Sequence, residues 1–188
     1  YKELFRDAAT LTAFKNSLII AVVSSIISTV MGTAAATAIF GYKNKLVKSS
    51  VMTVTNIPMM NPDIVTAIGF MLLFITFQIN KGYATMLLAH IAFCIPYVIL
   101  SVMPKIRSLD PNLADAAMDL GATPIQALIK VIIPQITPGI VSGALIAFTM
   151  SVDDFIISYF VTGGGVKNLS IMVYTMSKRV NPSINAVS

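Results

Sequence analysis

Charge is what this chain has least of. Charged side chains make up only 11% of its 188 residues, about half the share of a soluble globular domain. With 56% of residues hydrophobic, an ordinary soluble fold is excluded and a polytopic membrane protein expected. Cysteine occurs once, at Cys94 inside an apolar run; it has no intrachain disulfide partner and no metal-ligand company, and reads as a small packing hydrophobe. Histidine also occurs once: His90 lies on an apolar stretch and reads as a hydrogen-bonded packing residue. The basic residues, though in excess by a net +5, are scattered. Nucleic-acid binding needs a clustered basic face, so this excess points instead to loops beside anionic lipid. Gly163-Gly164-Gly165 has no following Lys-Ser/Thr and no preceding strand, which excludes a phosphate loop. The eleven methionines are too dispersed for a copper site. There is no internal repeat and no low-complexity segment. The opening run YKELFRDAAT is polar and is no signal peptide; that start and the polar close at Ser188 read as the ends of a piece of a longer chain.

What is present is a series of long uncharged runs. Residues 1–16 are polar and read as a loop or short interfacial helix. Leu18 to Phe40 then runs without a charge, enough for roughly 30 Å of hydrocarbon at about 1.5 Å per residue. Its Ser28, Gly32 and Ala36 form a row of small residues, the device for close helix contact in lipid. Residues 49–79 are apolar but interrupted by Pro58 and Pro62, so a helix ending near Pro58 and a second piece from about Pro62 to Phe77 are expected. Broken backbone at membrane depth is tolerated only inside protein or along a cavity. Asn80 to Tyr83 is a turn. Ala84 to Met103 is the next span, with Pro96 as a kink. Ile136 to Phe160 is the last clear span, with Gly139, Gly143 and Ala147 as a second small-residue row. Residues 166–188, including the mildly amphipathic Leu169–Ser177, make no convincing span. The fold class is therefore all-α, a membrane helix bundle of about four spans. Because spans alternate in direction, loops 41–50 and 105–135 share a side. Their Lys43, Lys45, Lys48, Lys105, Arg107 and Lys130 place that side in the cytoplasm, against Lys81 and Lys167 between spans opposite; the end segments, with Lys2, Arg6, Lys15, Lys178 and Arg179, then lie outside.

The stretch Leu109–Pro134 has the clearest local grammar. Asp110 is a good N-cap, with Pro111 at the first helical position. Leu113, Ala116, Ala117 and Leu120 fall on one face. Gly121 stops the helix as a residue free to take positive φ. Thr123 opens a second helix with Pro124 first and Gln126 completing a capping box; Pro134 ends that helix or kinks it into the next span. Two short helices outside the bilayer result. The spacing Asp115-Ala116-Ala117, Gly121, Val131, Ile133-Pro134 resembles the EAA loop of ABC-importer permeases, with Asp for Glu, Val for Ile and Ile for Leu. The resemblance implies one transmembrane permease domain over residues 1–188, of the ABC-importer permease type, with residues 105–135 as a cytoplasmic coupling loop. It also implies docking of that loop on an ATPase subunit.

Three acids remain at membrane depth. Asp153 and Asp154 are adjacent near the outer part of the last span, about 100° apart on a helix, and so cannot share a face. Asp154 follows Gly143 by eleven residues, about 20° off its face, and so points toward a partner helix or a lumen. Asp63 sits beside the break, where capping of a new helix is the competing reading; for Asp153 it is interfacial hydration. Buried membrane acids commonly mark a substrate path. No base lies within the expected spans except the His90 already read as packing, so a cationic substrate is their natural partner. Here a narrower resemblance enters: Ala147 to Val161, Ile57-Pro58 with Pro62-Asp63-Ile64-Val65, Ala89 to Phe93, and the tail around Tyr174, Asn181-Pro182 and Ile184 to Ala186 are similar to permeases of spermidine/putrescine importers, the C-type subunit in particular. That implies a bacterial inner-membrane subunit without chemistry or cofactor of its own. Its implied partners are a second permease subunit, an ATPase dimer carrying ATP, an extracytoplasmic polyamine-binding protein and membrane lipid. It also implies that the family's first and last helices are missing from this chain. The alternatives are a permease for another solute, such as a metal ion or an organic phosphonate, and an intramembrane aspartyl enzyme. An anionic solute ranks low because the spans carry no Lys or Arg. The enzyme would need Asp63 with Asp154, because Asp153 and Asp154 point apart.

Overall fold

The computed structural model describes residues 8–41, 44–164 and 166–177; the chain's first seven residues, Tyr42, Lys43, Gly165 and the tail from Lys178 lie outside them, and with them part of the tail resemblance. Every element in the described residues is a helix: α1 (Ala8–Gly41), α2 (Lys45–Met60), α3 (Asp63–Thr76), α4 (Tyr83–Arg107), α5 (Leu113–Asp119), α6 (Pro124–Ala127), α7 (Ile133–Asp153), α8 (Ile156–Val161) and α9 (Leu169–Ser177). Three helical runs are long and apolar enough to cross a membrane: Ala8–Gly41, Tyr83–Arg107 and Pro124–Asp153. A fourth span is formed if α2 and α3 count together, bent by 106° at their junction. The two prolines explain the bend. Pro58 is absorbed within α2, and Pro62 directly precedes α3, where its fixed φ suits a helix start.

α4 is the centre of the bundle, packed on α1 along one side and α7 along the other. Both small-residue rows face it. A methyl group on Gly32 would lie 2.7 Å from Cβ of Val98. One on Gly143 would come within 3.3 Å of the same side chain, and one on Gly139 within 3.0 Å of Lys105. Val98 is thus held between a glycine of α1 and a glycine of α7. In lipid there is little hydrophobic gain from bringing helices together, so close backbone approach supplies the attraction. The outward faces stay apolar, with Ile26, Val30 and Leu145 all exposed.

Four expectations need correction. The polar run before Leu18 is not a loop throughout: α1 is already helical at Ala8 and continues for 34 residues. The helix after Asp110 starts at Leu113 rather than Pro111, because the Asp110 carboxylate accepts from the Asn112 amide at 2.9 Å and forms a turn first. Pro134 does not end the second short helix. A π-turn at Leu128–Ile132, closed by the Ile133 amide donating to the Leu128 carbonyl, carries it directly into α7. Finally, the last span does not run to Phe160. It ends at Asp153, and α8 begins after a break at Asp154-Phe155.

Candidate functional site: an acidic cleft at a broken span

The break is made by Asp154 itself. Its backbone leaves the helix at φ −65°, ψ 119°, and its carboxylate turns onto the start of α8. Oδ1 accepts from the Ile157 amide at 3.1 Å, and Oδ2 from the Ser158 amide at 2.8 Å and the Ser158 hydroxyl at 3.0 Å. A carboxylate that satisfies free amides at a helix start is favoured by hydrogen bonding and by the helix dipole together. The acid read as lying near the outer part of the last span is therefore the residue that ends it.

Behind Asp154 stands His90 of α4, with a side chain only 1% exposed against 8% for Asp154. His90 Nε2 lies 3.4 Å from Asp154 Oδ2 and 2.9 Å from Ser158 Oγ, while Nδ1 lies 2.7 Å from Ser151 Oγ. Asn168 donates from Nδ2 to Ser158 Oγ at 2.8 Å, and Ser24 of α1 donates to Ser151 Oγ at 3.0 Å. Counting donors fixes the direction of the chain. The Ser158 hydroxyl has one proton, given to Asp154, so His90 Nε2–H donates to Ser158 and the neutral Nδ1 accepts from Ser151. Five buried polar groups on α1, α4, α7, α8 and the loop before α9 are satisfied in this way. His90 is hydrogen-bonded packing, as expected, but it also places an imidazole beside an acid read as having no base nearby. Ser151, Ser158 and Asn168 were not singled out by sequence. Ser158 alone carried a signal, four residues after a possible Asp cap.

On the open side of Asp154 is a concavity of about 320 Å³ lined by Asp63, Phe93, Met150, Asp153, Asp154, Phe155 and Ile156. The structure brings all three predicted acids to it, from the start of α3, the end of α7 and the break. Asp63 and Asp153 are exposed at the rim, whereas Asp154 is nearly covered. The Phe155 ring stacks 4.5 Å from Tyr174 and 5.5 Å from Tyr159, and Phe93 lies 5.2 Å from Tyr97. Among the described residues, no Lys or Arg lines the cleft. Carboxylates with aromatic faces suit an organic cation, through charge pairing and cation–π contact.

The other predicted residues gather at the opposite end. Asp115, Ala116 and Ala117 lie on α5, the first two exposed. Gly121 follows at φ 89°, where the Gly121 amide donates to Met118 O at 2.9 Å and the Ala122 amide to Ala117 O at 3.1 Å. That pair of bonds is a Schellman closure. Thr123 and Gln126 form the reciprocal box, at 3.3 and 3.0 Å. Val131 sits in the π-turn, half-buried like Ile133, and Pro134 is exposed. Leu120 is 90% exposed and Ile125 69%, with Met118 and Ile129 exposed beside them, an uncovered apolar edge on the loop.

Two comparisons of sequence place this architecture. A putrescine transport system permease protein, PotI, of Escherichia coli (strain K12) is 35% identical over 195 residues, covering all of this chain and 69% of that protein. A spermidine/putrescine transport system permease protein, PotC, of Haemophilus influenzae is 35% identical over 189 residues, again covering the whole chain and 73% of the relative. Among solved structures, an amino acid ABC transporter matches with a TM-score of 0.66 at 22% identity, over 94% of this chain and 84% of that one. A bacterial alginate ABC transporter, solved with a periplasmic protein that holds an alginate pentasaccharide, matches with a TM-score of 0.68 at 16% identity, over 95% and 70%. Those two show the shared fold. The family described as binding-protein-dependent transport system inner membrane component matches residues 28–181, and the chain belongs to it: this is a permease subunit of the inner membrane, and not an enzyme.

Proposed function

We propose that this chain is the translocation subunit of an importer for polyamines, spermidine and putrescine, and that the acidic cleft lies on their path. The observation that carries the reading is the convergence of Asp63, Asp153 and Asp154 on one aromatic-walled cleft that no Lys or Arg lines among the described residues. A protonated diamine or triamine supplies the charges those carboxylates lack. The names of the relatives point to the same solutes. Asp154 is the inner contact, with Asp63 and Asp153 at the rim.

In this reading residues 1–188 act as one permease domain, and residues 105–135 form its coupling loop. Asp115, Ala116, Ala117, Gly121, Val131, Ile133 and Pro134 hold that loop in shape as a lever. Its exposed Leu120 and Ile125 meet a groove on a cytoplasmic ATPase dimer. ATP is bound and hydrolysed there, and this chain contributes no cofactor. A second permease subunit and lipid cover the apolar outer faces, and an extracytoplasmic solute-binding protein delivers the amine at the cleft end.

The test is uptake of labelled spermidine and putrescine by the intact subunit with its cognate partners, for wild type and Asp154→Asn. ATP-dependent uptake is expected for wild type. In the variant a fall of about tenfold or more is expected, equivalent to at least about 1.4 kcal/mol, with assembly on the ATPase unchanged. No polyamine uptake by the assembled wild type removes the substrate, and undiminished uptake by the variant removes Asp154 from the path.

A further inference from the structure

The cleft carboxylate has a supporting structure that reaches back through the bundle. Asp154 Oδ2 accepts from the Ser158 hydroxyl, and that hydroxyl is itself engaged on its acceptor side by two donors, His90 Nε2–H at 2.9 Å and Asn168 Nδ2 at 2.8 Å. A serine hydroxyl free to rotate has three staggered choices. Here two neighbours leave one, and it points at Asp154. His90 is in turn held by Ser151, and Ser151 by Ser24. Every donor in the series runs from α1 toward the cleft.

We propose that His90 is a positioning residue for transport: acting through Ser158, it fixes the hydrogen bond that keeps the Asp154 carboxylate turned so that its open side meets the amine. This rests on the reading of the cleft as a cation path. Asp154 is shielded from water on its inner side, where only protein donors can hold its carboxylate in one orientation. Three donors do so in this structure, two backbone amides and the Ser158 hydroxyl. The amides belong to α8 and remain in any side-chain variant. The hydroxyl is the adjustable one, and His90 aims it.

The test uses the assembled importer in proteoliposomes, supplied with saturating spermidine-loaded binding protein. Ser158→Ala removes the aimed hydroxyl and leaves the His90–Ser151 contact in place. Its maximal uptake rate is expected to fall about tenfold, the scale of one hydrogen bond to a charged group. His90→Leu is expected to fall as far, and His90→Gln, whose amide can both donate and accept, to recover most of the loss. If His90 acts through Ser158, adding His90→Leu to Ser158→Ala costs nothing further; losses that multiply overturn the proposal. A second readout is the antisymmetric carboxylate stretch of Asp154, assigned by its absence in Asp154→Asn. Its frequency is expected to shift in Ser158→Ala and His90→Leu and to stay at the wild-type position in His90→Gln, a pattern that packing alone does not produce. Wild-type uptake in Ser158→Ala, or an unshifted band there, overturns the positioning role. If wild type takes up no spermidine, the cation-path reading fails instead, and the infrared readout still decides the positioning role.

Discussion

The contact of α4 with α1 and α7, and the break between α7 and α8, are two ways of holding helices together in one small bundle. At the first, shape dominates, with only the Ser101 hydroxyl donating to Gly139 O at 3.3 Å and the Cys94 thiol to Ala147 O at 3.5 Å beside it. Gly32 and Gly143 remove side chains so that Val98 can fit between backbones. At the second, everything is directional. Asp154, Ser158, His90, Ser151 and Asn168 are held by hydrogen bonds with named donors and acceptors. The packed contact tolerates no added atom and has one arrangement. The bonded break can re-form its bonds in another arrangement, which is what a moving path through a membrane requires. Rigid packing and the proposed substrate contact are thus assigned to different chemistries less than one helix length apart.

The comparison can be broken most severely at Asp154. Asp154→Ala strips the cap from α8 and leaves Ser158 and two amides unanswered, a loss on the order of 3 kcal/mol from several charge-assisted bonds. Amide exchange should accelerate in Ile157 and Ser158 while protection along α4 is kept; exchange rising equally in both would show that the two regions are not separable. Next in size is Gly32→Ala, whose methyl meets Val98 and should cost about 1–3 kcal/mol as overpacking, seen as a lower melting temperature of the detergent-solubilised complex. Adding Val98→Ala should return part of that loss; no recovery would mean that the close approach is not what limits the site. Gly121→Ala forces a side chain into positive φ and should cost about 1–2 kcal/mol, with ATP hydrolysis retained but less uptake per ATP. The smallest effect, of opposite sign, is expected at Gly69. It lies in α3 with nothing within 4 Å of an added methyl, so Gly69→Ala should raise the melting temperature by the equivalent of about 1 kcal/mol or less.

The packed region was legible in the sequence because its signal is local. Small residues four apart on an uncharged run need no knowledge of the partner to be read as a contact face, and Pro58 with Pro62 marks a broken helix without reference to the rest. Gly121, Thr123 and Gln126 act within a few residues of themselves, and their geometry is close to what spacing implies. The break at Asp154 was harder. Two acids in a long apolar run look like buried charges in a continuous helix, and the amides that Asp154 caps are recognisable only once the helix is known to stop. His90 was legible as a packing residue and not as a neighbour of Asp154. Sixty-four positions separate them, and no periodicity spans three helices. Only the packing of α4 on α7 and α8 brings them within 3.4 Å.

The π-turn at Leu128–Ile132 has a consequence for the whole of α7. A π-turn amounts to one extra residue in an α-helix, and one residue is about 100° of rotation. The face that α7 turns to α4 is therefore set in phase by a single inserted position between the loop and the span. Without that insertion, Gly139, Gly143 and Ala147 would swing roughly a quarter-turn or more away from Val98, and Ile140, Ala144 and Phe148 would take their places. The span and the loop behave as two gears on one shaft, offset by one tooth, and their relative angle is written in the length of five residues.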